Sequence, residues 1–183
     1  MRNSTLPPRK AYIKRGKPPR RKTAPKPLSD KTVSKLKKDL DKIVSEYVRL
    51  SEDYICFVCG KACTVKWSIG NPDAAECGHL FTRSAEATRF DITPDGNNHC
   101  QCHMCNMIHG GANMRFKVTV EQWPYYSAYI EKFGQQAFDD LRVRSKVSTR
   151  WKAWKIEELI EETRIALEQL KAEKGGGGHA DDC

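Results

Sequence analysis

Apolar residues recur at spacings of three and four from Val33 through Leu36, Leu40, Ile43, Tyr47 and Leu50. That period predicts one amphipathic helix over residues 29–52. Ser29 stands where an N-cap belongs, and Asp30 places an acid in the first turn. The pattern then stops. Residues 53–118 are rich in Cys, His, Gly and Asn, and their apolar positions follow no sustained period. Short strands are expected at about 63–68 and 75–82, with a short helix starting near Cys102 and Cys105 and stopping at Gly110 and Gly111. Helical spacing returns over 119–174. Trp123, Tyr126, Tyr129, Ile130 and Phe133 share a side, Gly134 breaks the run, and a second short helix is expected at 135–142. A last helix covers about 150–173, with Trp151, Trp154, Leu159, Ile160, Leu167 and Leu170 as packing residues. Aromatic residues near basic segments can stack on bases, but a stripe at helical spacing is expected to be core. No internal repeat is visible.

Composition changes this picture at the two ends. Residues 1–28 hold ten Lys and Arg, no acid and six of the nine prolines, so the net charge of +9 sits almost wholly in that segment. Such a stretch cannot bury enough apolar surface to fold alone. It is expected to be a disordered basic arm that meets a polyanion, with Arg15, Arg20, Arg21 and Lys22 among its DNA contacts. Residues 175–183, a glycine run followed by His179 to Cys183, read as a flexible tail. With 39% apolar and 30% charged residues and a mean hydropathy of −0.67, the 183 residues suit one domain with tails. No apolar run is long enough for a membrane span, and no apolar segment follows the basic start as in a secretory leader. Eight cysteines without such a leader, two pairs of them spaced C-x-x-C, point to metal binding in a reducing compartment and a cytoplasmic location.

The strongest chemical signal is Cys56-Phe-Val-Cys59 matched with Cys102-His-Met-Cys105. Two residues between cysteines let both thiolates reach one ion from a tight turn, and two such knuckles complete a tetrahedral site for structural zinc. Four thiolates leave no open position, so this ion would not be catalytic. Cys63, Cys77 and Cys100 are expected to be small buried hydrophobes, although Cys100 lies close enough to Cys102 to compete as a ligand. Interleaved with the knuckles are Glu76-Cys77-Gly78-His79, then Asn97-Asn98-His99, then Asn106 and His109. A neutral imidazole with a pKa near about 6–7 can take a proton from water, while Asn and His suit a divalent ion such as Mg2+ or Mn2+. That combination fits phosphodiester hydrolysis. Arg83 and Arg89 follow His79 closely and are candidates to hold a phosphate.

Together with the run Ala87-Thr88-Arg89-Phe90-Asp91 and Gly110-Gly111-Ala112-Asn113, these elements resemble the HNH-type, ββα-metal nucleases, and within them the lambdoid phage NinG/Rap recombination nuclease family. The resemblance continues into Phe133-Gly134-Gln135-Gln136-Ala137 and Trp154-Lys155-Ile156-Glu157-Glu158, covering roughly 54–170. It implies an α+β fold: a small zinc-stabilised ββα-metal core at 53–118, flanked by the helix at 29–52 and the helical region at 119–174. It also implies roles. His79 would be the general base on the first strand, and Asn97 would orient that loop. Asn106 and His109 would hold the catalytic divalent ion from the helix. Many HNH enzymes carry Asp or His before the base, where this chain has Gly78, so Glu76 and Asp91 become substitute ligands. The implied activity is cleavage of branched DNA such as Holliday junctions or D-loops. The alternatives are a nicking or homing-type HNH nuclease on duplex DNA, and a zinc-stabilised DNA-binding module without catalysis. Symmetric cutting of a four-way junction also leads us to expect a homodimer, with the helices at 30–50 and 150–173 as its interface unless they pair within one chain.

Overall fold

A computed structural model describes residues 28–66, 70–107 and 124–175 of the chain. In order these form α1 (Leu28–Ser51), β1 (Ala75–His79), β2 (Asn98–Cys102), α2 (helical from 103 through 107), α3 (Pro124–Ser145) and α4 (Ala153–Gly175). The architecture is mixed: a two-stranded antiparallel sheet with helices packed around it.

α1 forms where its period puts it. Its innermost stripe is Leu40, Val44 and Val48, each four residues on from the last and all buried. They close on Ile156 and Ile160 of α4 and on Cys77 of β1, with Val33, Leu36, Ile43 and Tyr47 at the margin. The buried face is thus turned slightly from the one the sequence picked out, toward two valines. Each such side chain taken out of water contributes roughly 1.5–3 kcal/mol. α4 supplies Ile156, Ile160, Thr163 and Leu167 at spacings of four and three. Trp154, expected to pack, instead stands 61% exposed, because it falls outside that stripe. α1 and α4 cover each other within one chain, the alternative left open for these two helices.

β1 and β2 pair from Ala75 opposite Cys102 to His79 opposite Asn98. β1 ends at His79, three residues short of the expected 82. Of the strand expected at 63–68, a single bridge between Thr64 and Ala74 is present, with 67–69 outside the described residues. β2 was not anticipated. Its residues, Asn-His-Cys-Gln-Cys, are all buried and lack the apolar alternation that marks a strand facing water.

α3 is interrupted at Gly134, whose φ of 84° is left-handed, a conformation glycine adopts without strain. The break the sequence predicted lets one helical run bury Tyr125 and Tyr129 before it and Phe138 and Leu141 after it. These close over Leu80 to make a second core, with Tyr126, Ile130 and Phe133 at its edge. The aromatic stripe is therefore core rather than a stacking platform; Trp123 lies outside the described residues. Among those residues, no helix is long and apolar enough to cross a membrane.

Candidate active site

The first knuckle is a tight turn closed by backbone bonds from Gly60 N to Cys56 O and from Cys56 N to Lys61 O, both 2.8 Å. Phe57 N donates to Cys100 O at 2.8 Å and ties that turn to β2. The second knuckle straddles the end of β2 and the start of α2, where Cys105 N donates to Cys102 Sγ. The sulfurs of Cys56, Cys59, Cys102 and Cys105 all lie within 4.8 Å of one another, and those of Cys59 and Cys102 are 3.9 Å apart. A tetrahedral zinc with sulfur bonds of about 2.3 Å sets its sulfurs about 3.8 Å apart, so the four thiols fit a structural metal such as zinc. Cys63, Cys77 and Cys100 stand outside this set and are buried. Burial pushes the Cys63 thiol up to about 11 and the Cys77 thiol up to about 12, and raises Cys100 as well, which keeps all three protonated.

His79 ends β1. Strand alternation puts it on the face of Cys77, the one turned toward α1. Burial, with the positive charge of Arg83 adding to it, pushes the His79 imidazole down to about 4. The ring is therefore neutral well below the range of about 6–7 expected from the residue type. Asn97, fully buried, clamps the chain just beyond. Its Oδ1 accepts from Phe81 N at 2.7 Å, its Nδ2 donates to Phe81 O at 2.9 Å, and its carbonyl accepts from Leu80 N. Asn98, facing His79 across the sheet, donates from Nδ2 to the carbonyls of Arg89 and Asp91.

On the other face of β1, Glu76 gathers two side chains from α2. Its Oε1 accepts from His103 Nδ1 at 2.8 Å and its Oε2 from Asn106 Nδ2 at 2.6 Å. His79 and Asn106 thus belong to separate clusters that flank β1. His103 went unnoticed in the sequence because it sits inside a zinc knuckle, where a histidine carries no distinct signal. Gly78, the departure from the usual pattern, has a packing reason. A Cβ there would collide with the side chain of Gln101, its neighbour on the facing strand.

The loop from 80 to 97 is held from three sides, and two expected site residues are engaged in holding it. Arg89 makes a two-pronged bond to Asp41 of α1, at 3.1 and 2.7 Å, and is not free for a phosphate. Asp91 accepts from Thr93 N and Oγ1 and pairs with Arg144 of α3, which caps the loop. Lys37 pairs with Glu86, Trp151 Nε1 donates to Glu86 O, and Tyr129 Oη donates to Asp95 O. Arg83 differs from Arg89: it is exposed and has no ion-pair partner among the described residues. His109, Arg15, Arg20, Arg21 and Lys22 lie outside the described residues.

A buried polar post was also missed. His99, 1% exposed, donates from Nδ1 to Glu52 Oε1 at 2.6 Å, while Glu52 Oε2 accepts from Cys100 N at 2.6 Å. Phe57 stacks on the imidazole at 3.9 Å, and Phe133 lies beyond. This post joins the end of α1, the sheet, the first cysteine knuckle and α3.

The fold and its site define a small mixed α/β domain built around four cysteines that could hold a structural metal. The family described as bacteriophage lambda NinG protein matches residues 5–174, and the chain belongs to that family. No curated protein and no solved structure gives a significant match.

Proposed function

We propose that the chain is a metal-dependent DNA endonuclease of the HNH type, acting on branched recombination intermediates such as Holliday junctions or D-loops. The observation that carries this reading is the state of His79. It is an imidazole kept neutral at the end of a strand, beside an exposed arginine, on a loop that Asn97 grips through the Phe81 backbone. A neutral imidazole takes a proton from the attacking water as the P–O bond is broken. Arg83 neutralises the phosphate that approaches it. Asn97 and the pinned loop keep the ring in place.

The Glu76 carboxylate and the Asn106 amide meet through one hydrogen bond and together offer hard donors for Mg2+ or Mn2+, with His103 orienting the carboxylate. An ion held there, on the face of β1 opposite His79, would supply positive charge to the DNA backbone. The four-cysteine clamp holds the helix that carries His103 and Asn106, and β2, on which β1 with Glu76 is paired. Family membership supports a role in phage recombination, and the order strand, strand, helix after the first knuckle supports the HNH reading.

The test compares a four-way junction with a linear duplex of the same sequence, with Mg2+ or Mn2+ and with EDTA. EDTA-sensitive cuts confined to the junction are expected. Equal cutting of both substrates would indicate a nicking or homing-type nuclease, and binding without any cut would indicate a DNA-binding module.

A further inference from the structure

A groove of about 550 Å³ runs beside α1, lined by Lys38, Lys42 and Arg49 of that helix and by Arg83 of the loop after His79. Two acids also line it, and each already faces a cation. Asp41 is held by Arg89 at 2.7 Å and Glu46 by Lys171 at 3.0 Å. Lys42 has only an exposed contact with Asp39 at 3.7 Å, a pair that solvent screens heavily. Lys38, Arg49 and Arg83 have no ion-pair partner among the described residues, so the groove keeps a surplus of positive charge. A second cleft of about 330 Å³ shares Lys38 and continues past Ser34 toward the start of α1. There, at Leu28, the segment with ten Lys and Arg joins the helix.

The dimensions match a polyanion. Lys38 to Arg49 spans about 16 Å of helix axis at 1.5 Å per residue. One DNA strand presents a phosphate about every 3.4 Å of axis, so that span equals the rise of four to five nucleotides. The groove also leads to the candidate chemistry, because Asp41 and Arg83 are both charged neighbours of His79.

We propose that the groove along α1 seats a nucleic-acid backbone and leads its phosphates past Arg83 to His79. The proposal rests on the DNA-cleaving role above and adds the surface that role needs. Arg89 and Lys171 act from behind, neutralising the two acids that would otherwise repel a phosphate. An acidic protein would also be attracted to such a groove, but nothing in that attraction calls for cations spaced along a helix and continued by a basic segment.

The experiment uses the full chain with zinc bound and no added Mg2+ or Mn2+. Fluorescence anisotropy follows binding of a junction and a duplex over a range of salt. The variant Lys38→Gln with Lys42→Gln and Arg49→Gln is compared with Lys152→Gln, Lys155→Gln and Arg164→Gln, which removes equal charge at and just before α4. Both sets are at or near the surface, and zinc content and thermal midpoint confirm the fold. The groove variant is expected to bind at least about tenfold more weakly, with the slope of log affinity against log salt shallower by about two to three, since each lost phosphate contact removes about 0.9. The α4 variant is expected to keep both values. An unchanged slope in the groove variant, or an equal loss in both variants, overturns the proposal. The cleavage assay with Mg2+ or Mn2+ separates the two ideas. Wild-type cutting with an unaffected groove variant sinks the groove alone, and wild-type binding without cutting sinks the nuclease role alone.

Discussion

The helical layer of α1 and α4 and the segment from Tyr54 to Asn106 are held together by different physics. The first closes on aliphatic side chains at helical spacing, Leu40, Val44 and Val48 against Ile156 and Ile160. The second has little of that kind. Its interior is cysteine, small residues and polar side chains, and much of its order comes from directed bonds such as those of Asn97, Asn98 and Glu52. Apolar contact is tolerant of detail, whereas a four-thiolate metal site and side-chain amides bonded to the backbone either form or fail. A lost ligand or amide should therefore act on the second region and a lost methyl group on the first.

The largest effect is expected from Cys102→Ser, which removes one ligand of the clamp. Structural zinc sites in peptides contribute about 10–16 kcal/mol, so the metal should be lost and the region from 54 to 107 should open. Hydrogen exchange should show deprotection there, while α1 and α4 keep most of their protection; metal analysis checks the ion. Zinc retained at full occupancy would remove Cys102 from the clamp. Next is His79→Ala. Cleavage should fall about 10²–10⁴-fold with zinc and DNA affinity kept, and added Mn2+ should not restore it. Glu76→Gln should instead recover in part at high Mn2+, because a weakened ion site refills by mass action. Both are read in a nicking assay with metal titration.

Leu40→Ala probes the other region. Burial of the leucine predicts a loss of about 2–5 kcal/mol in denaturant unfolding, with zinc content unchanged. The smallest expected effect is on pH. His79 resists protonation in the folded chain down to about 4, while the unfolded chain takes up that proton near its ordinary value of 6.5. Between those limits the unfolded state binds more protons, so stability should fall as the pH drops from 6.5 toward 4, by roughly 1–3 kcal/mol. His79→Gln should flatten that dependence. The same shift means that cleavage should show no imidazole step near pH 6–7.

What the sequence disclosed follows the same division. The helices were legible because a period of 3.6 is written in residue type, and Gly134 announced its own break. The clamp was legible because C-x-x-C spacing is itself a geometric statement. β2 was not, since a strand buried on both faces and built of Asn, His, Cys and Gln carries no alternation to read. Arg89 looked like a phosphate anchor until Asp41 appeared opposite it, 48 residues away in the chain. The partner of Asp91, Arg144, was hidden for the same reason, since it lies on α3. The Glu76, His103 and Asn106 cluster depends on a sheet and a helix meeting, which no local pattern records.

The pairing of α1 with α4 has a consequence for how the chain is made. A ribosome finishes α1 at Ser51 and reaches α4 only at Ala153. At about 5–20 residues per second, the intervening hundred or so residues take about 5–20 s. Throughout that interval Leu40, Val44 and Val48 have no α4 to cover them, and the nascent chain presents an adhesive stripe. Termination of synthesis before α4 would leave that stripe open for good. A premature stop near residue 150 should therefore yield a chain that is held by chaperones or aggregates, even though the clamp and every proposed catalytic residue have already been translated.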